Sequence, residues 1–159
     1  MITTNVVVSS ETKTSKALHV TLWIVQCLLG AMFLAVGTMK ATQPIANLAG
    51  ALGWPAEVPT TLVRFIGVAE FLGGLGLILP AATRIVPMLT PLAGAGLATV
   101  MLFATIFHIS HGQFRALAAP LVLGCLAAFV AWGRAIKAPI APRYRSCGGA
   151  PVSSGFFLR

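Results

Sequence analysis

"RFIGVAEFLGGLGLILP", residues 64 to 80, would read as an uninterrupted membrane-spanning helix but for one carboxylate, Glu70. An ionisable residue at that depth is expensive and normally faces a bundle interior, where it serves as proton carrier, cation ligand or general acid/base. A second residue of that kind is Lys40, at the end of the preceding apolar run, and a third is His108, followed by His111. His108 has the chemistry to relay protons or hold a ligand, and Lys40, so near a helix end, can send its ammonium inward or outward. Gln26, Thr105 and Thr99 have the character of interhelical hydrogen-bonding residues. Glu70 with His108 and His111 is a poor metal set, and the chain contains no Asp to complete a Ser-His-Asp triad.

The elements that must position these groups follow from composition. The 159 residues are 57% hydrophobic and 9% charged, with mean hydropathy +0.91, so lipid is the expected solvent for most of the surface. Four apolar segments, about 17–39, 62–79, 86–109 and 115–133, are each near the ~20 residues that cross a hydrocarbon core. The fold expected is all-α: an integral membrane antiparallel four-helix bundle. A short interfacial helix in "PIANLAGALGW" lies between the first and second spans, and Thr60 or Thr61 is expected to cap the second. Polar residues 1–16 form an N-terminal tail, and residues 134–159 a basic, mobile one.

Eleven Lys and Arg against three acidic residues give a net charge of +8. These bases are not spread over a polar, aromatic surface, which argues against nucleic acid as a partner. They sit at span ends: eight (Lys13, Lys16, Arg84, Arg134, Lys137, Arg143, Arg145, Arg159) on the side of both tails, and Lys40, Arg64 and Arg115 on the other. By the positive-inside rule both termini are cytoplasmic and the protein is a multi-pass protein of the cell (inner) membrane. Trp23, Trp132 and Trp54 fall where an aromatic belt would place them, and Arg64, off the Glu70 face, is expected to contact headgroups. Cys27, Cys125 and Cys147 form no CxxC pair; the first two are expected to be packing residues.

Residues three and four apart share a helix face. The Glu70 stripe is Val63, Ile66, Gly67, Gly73, Gly74 and Leu77, and glycines on one face allow a neighbouring backbone to approach closely. The first helix has a matching stripe of Gln26, Gly30, Phe33, Gly37 and Lys40, expected to meet it. The third helix aligns Met101, Ala104, Thr105, His108 and His111; the fourth has a seam of Pro120, Gly124, Ala127, Ala128 and Ala131. At ~1.5 Å per residue Glu70 lies roughly 13 Å below the outer start of its helix and His108 roughly 6 Å below Gly112, so both belong to the outer half.

The segments "LLGAMFLAVGTMKA", "RFIGVAEFLGGLGLILP", "FATIFHISHG" and "AAPLVLGCLAAFVAWGR", in this order and spacing, resemble the DoxX-like family of small bacterial four-helix membrane proteins. The resemblance covers roughly residues 18–134 and maps onto Gly37, Lys40, Gly67, Glu70, Gly73, Pro80, His108 and Pro120. It implies the four-span fold and, for some relatives, service as a subunit of a thiosulfate:quinone oxidoreductase or in oxidative-stress defence. It implies little about activity, because a subunit can share a fold without the reaction.

The function expected is a membrane subunit of a redox or stress-related system. Glu70, Lys40 and His108 line an outward-facing polar pocket for a quinone-like or other small lipophilic ligand; Gln26, Thr105 and His111 are secondary candidates. Two alternatives stand beside it: a small proton-coupled transporter that uses Glu70, and a non-catalytic assembly protein in which Glu70 and Lys40 fix helix register. The bilayer is the first partner, with a protein partner or a second copy of the chain also in view. Whether the chain is catalytic, which cofactor it uses and the charge of Glu70 are left open by the sequence.

Overall fold

In the computed structural model the backbone is described for residues 3–143 and the side chains for residues 16–143. The expected basic tail beyond residue 143, with Cys147, lies outside the described residues, as do the side chains of the polar N-terminal stretch before Lys16.

Five α-helices are described: α1 Thr3–Thr42, α2 Ile45–Leu52, α3 Thr60–Thr83, α4 Leu89–Ser110 and α5 Ala118–Trp132. Two short 3₁₀ turns, Trp54–Ala56 and Phe114–Ala116, precede α3 and α5, and a π turn, Gly133–Lys137, follows α5. No strand occurs among the described residues. Four stretches are long and apolar enough to cross a membrane: Lys16–Thr42, Thr60–Thr83, Leu89–Ser110 and Phe114–Lys137. The chain is therefore an all-α four-span bundle, as its hydropathy requires.

The four long helices close a ring in which α1 packs on α3, α3 on α4, α4 on α5, and α5 more lightly on α1. The tightest crossing is between α1 and α3. A Cβ on Gly37 would fall 2.6 Å from Phe71 N and 2.7 Å from Gly67 O, and one on Gly67 would fall 2.7 Å from Ala41 N. Only hydrogen fits at either place, so the two glycines bring the backbones together, as membrane helices do without a hydrophobic drive for association. Gly30 and Gly74 meet further along the same seam. The remaining core is apolar: Leu29, Phe33, Leu77, Leu97, Met101, Ala127 and Val130.

The expected faces are largely observed. Gln26, Gly30, Phe33, Gly37 and Lys40 are all buried, as are Val63, Gly67, Glu70, Gly74 and Leu77. Ile66 and Gly73 are half-buried, Gly73 lying against Leu97, and Gly124 is half-buried against Met101. Four expectations are corrected. Ala128 is exposed, and Val130 takes its place in the α5 seam. Cys27 and Cys125 are exposed on the outside of the bundle, because neither lies on its helix's buried stripe. Thr105 and Thr99 donate to Met101 O and Ala95 O of their own helix, where an i−4 carbonyl is nearer than any neighbour. Neither Thr60 nor Thr61 caps α3: Pro59 occupies the N-cap, and no side chain bonds there.

Candidate functional site

The Gly37–Gly67 crossing sets the geometry of the polar site beside it. Lys40 lies one turn beyond Gly37 on α1, Glu70 one turn beyond Gly67 on α3, and with the backbones this close their side chains meet. Lys40 Nζ donates to both carboxylate oxygens of Glu70, at 2.7 and 2.8 Å. Glu70 is 1% exposed and Lys40 8%, so both are withdrawn from the surface. Such a pair is sustained only by good geometry and further hydrogen bonds, and here both oxygens are engaged.

Arg64, expected to reach for headgroups, instead donates from Nη1 to Lys40 O at 2.7 Å. It satisfies a carbonyl of the last turn of α1 and adds a cation at the negative end of the helix dipole. Over Lys40 lies Trp54, its ring centre 5.4 Å from Nζ, delivered by the 3₁₀ turn after α2. A ring face at that distance attracts the ammonium and shields it from water.

His108 is buried at the same end but bonds to neither Lys40 nor Glu70. Its Nδ1 pairs with Gln113 Oε1 at 2.7 Å, and Gln113 Nε2 donates to Glu57 Oε1 at 2.7 Å. The His108–Gln113–Glu57 chain therefore runs from α4 across the α4–α5 connection to the segment before α3. Aromatic contacts link it to the ion pair: Trp54 to Phe107 at 6.4 Å and Phe107 edge-on to His108 at 5.7 Å. His111 is exposed and stacks on Phe107 at 4.0 Å, with Nδ1 near Phe107 O and Ser110 Oγ, and is not joined to Glu70.

Trp54 also forms one wall of an open cleft of about 570 Å³ on this end. Leu52, Gly53, Gln113, Phe114 and Arg115 contribute to its lining. One wall is thus backed by the ion pair through Trp54, and another by His108 through Gln113. The sequence reading missed Trp54, Gln113 and Glu57, which lie in connections without periodicity. Only the interfacial helix that carries Trp54 inward gave a hint.

A second polar cluster occupies the opposite end. Gln26, fully buried, donates from Nε2 to Leu77 O at 2.6 Å, the interhelical role expected of it. Its Oε1 accepts from Arg134 Nε at 2.8 Å. Arg134, counted as a surface cation, is buried, with Trp23 stacked 5.2 Å from its guanidinium. The missed signal is spacing: Arg134 continues the buried Ala127–Val130 face by seven and four residues.

Four apolar helices closed around two buried polar stations define a four-span α-helical membrane protein. The chain belongs to the DoxX-like family, whose model matches residues 24–130, from within α1 to the last turn of α5. No curated relative and no solved structure matches the chain.

Proposed function

We propose that this protein is a membrane subunit of a redox or stress-related system whose cleft receives a quinone-like or other small amphipathic ligand. The observation that carries the reading is the double placement of Trp54, which walls the cleft and covers Lys40 Nζ. A flat aromatic or carbonyl-bearing ligand in the cleft stacks on Trp54 and faces the Gln113 amide, while Arg115 at the rim accommodates polar substituents. Lys40, Glu70 and His108 stand behind this wall as positioning residues. In this reading the protein lies in the inner membrane with both termini cytoplasmic and the cleft outside.

The test is quenching of tryptophan fluorescence by a short-chain ubiquinone analogue, with purified protein in detergent. Saturable quenching is expected in the wild type, and its loss in Trp54→Leu, with Trp23 and Trp132 at the far end as the residual signal. Linear quenching without saturation, or an unchanged curve in Trp54→Leu, would refute the reading.

The engagement of both Glu70 oxygens by Lys40 favours a second reading, a non-catalytic assembly protein in which the pair fixes the register of α1 on α3. Glu70→Gln separates the two. Folded protein with weakened quenching favours the ligand site; loss of folded protein favours the register role.

A further inference from the structure

The end of the bundle opposite Lys40 holds a buried charge that the proposed function does not use. Arg134 is 3% exposed, and among the described residues no carboxylate lies within ion-pair distance of it. Glu57 and Glu70 belong to the other end. Nε is satisfied by Gln26, and Nη1 lies 3.3 Å from His19 Nδ1 and 3.5 Å from Ala138 O. Nη2 is buried with no hydrogen-bond partner.

Among the described residues, one other buried side-chain polar atom lacks a partner, Thr90 Oγ1, which is fully buried in the first turn of α4. The two orphans lie at one level. A Cβ on Gly94 would fall 3.2 Å from Ala131 Cβ, which sets α4 against α5 there. In these antiparallel helices Thr90 precedes Gly94, and Arg134 follows Ala131, by about one turn toward the same end.

The surroundings are cationic. Arg84 and Arg134 both lie within electrostatic reach of His19. The segment from Ala138 to Arg143 crosses this end, fastened by Arg143 N to Arg84 O at 3.1 Å, whereas its contact with Arg134 is at the outer edge of hydrogen bonding. A buried guanidinium with a free donor and a buried hydroxyl with none of its bonds made, with no acid nearby among the described residues, lack one thing, an anion with several acceptor oxygens. A phosphate matches the guanidinium fork and leaves an oxygen for the hydroxyl.

We propose that Arg134 and Thr90 form a site for one phosphate oxyanion, carried either by an anionic phospholipid headgroup or by free phosphate, which takes the place of the long contact to Ala138. The full chain, delipidated in detergent, is offered dioleoylphosphatidylglycerol, dioleoylphosphatidylcholine and inorganic phosphate in separate arms. Bound lipid is read by native mass spectrometry and stabilisation by thermal unfolding.

One phosphatidylglycerol retained per chain is expected, with phosphatidylcholine held at least about tenfold less because its choline meets the same cations. Arg134→Met and the isosteric Thr90→Val should each weaken retention by about tenfold. If Arg134→Met fails to fold, Thr90→Val and Arg134→Lys decide. Stabilisation by inorganic phosphate that depends on both residues, without lipid retention, assigns the site to free phosphate. Equal retention of the two lipids, binding unchanged in Thr90→Val, or no response to any of the three probes would overturn the proposal.

Discussion

Two buried cations, Lys40 and Arg134, have unequal surroundings, and the difference predicts how each responds to mutation. Lys40 is matched by a carboxylate held through both oxygens, so removing either partner leaves an uncompensated charge in an apolar bundle. Lys40→Met should cost about 3–5 kcal/mol of stability in mixed micelles, and Lys40→Met with Glu70→Leu should recover most of it, because the pair then leaves together. A double variant as unstable as the single one would mean that the carboxylate has another essential partner. Gln26 bridges Leu77 O and Arg134 Nε, so Gln26→Leu removes the second bond to a helix carbonyl and leaves a buried guanidinium N–H without its acceptor. The expected loss is about 1–3 kcal/mol by the same unfolding measurement. Glu70 was legible in the sequence because it shares a stripe with Gly67 and Gly74. Arg134 was not, since an arginine at a span end ordinarily extends toward headgroups.

At the scale of elements, the α1–α3 crossing depends on two residues without side chains. Gly67→Ala would push a methyl into Ala41 N and Gly37 O, which are backbone atoms and cannot rotate away. The helices must separate, and the Lys40–Glu70 bond lengthens with them. A loss of about 1–3 kcal/mol is expected for Gly67→Ala and for Gly37→Ala. Gly96→Ala is the control: a Cβ there meets nothing within 4 Å, and helix propensity favours alanine, so its thermal midpoint should not fall. Equal destabilisation by all three would show that the loss does not come from the crossing. The glycine stripes were readable as faces, but which stripe meets which required the fold. The threonines illustrate the converse, because Thr105 bonds to its own helix although its spacing suited a neighbour, and Thr99 does the same.

At the scale of the whole molecule, an even number of spans places the start of the first span and the end of α5 on one side. The burial of Arg134 and Lys40 removes one base from each side of the tally that sets orientation, yet seven still face two, so cytoplasmic termini remain our expectation. A green fluorescent protein fused to the C-terminus should fluoresce in bacterial cells, and an alkaline phosphatase fused there should be inactive. The opposite pair of results would invert the molecule, placing the Trp54 cleft inside and the Arg134 end outside.

The sequence by itself determined the solvent, the four spans and the inward face of Glu70, because hydropathy and three-to-four periodicity are local and survive without tertiary contacts. It also carried the family resemblance, since order and spacing of segments need no coordinates. Only the tertiary structure decided that Lys40 hydrogen-bonds both oxygens of Glu70, that His108 turns to Gln113 instead, and that Trp54 stands between cleft and ion pair. It alone revealed the buried Arg134. The physical reason is range: a hydrogen bond forms within about 3 Å. Whether residues 108 positions apart, such as Gln26 and Arg134, come that close is set by how helices cross, which no local pattern encodes.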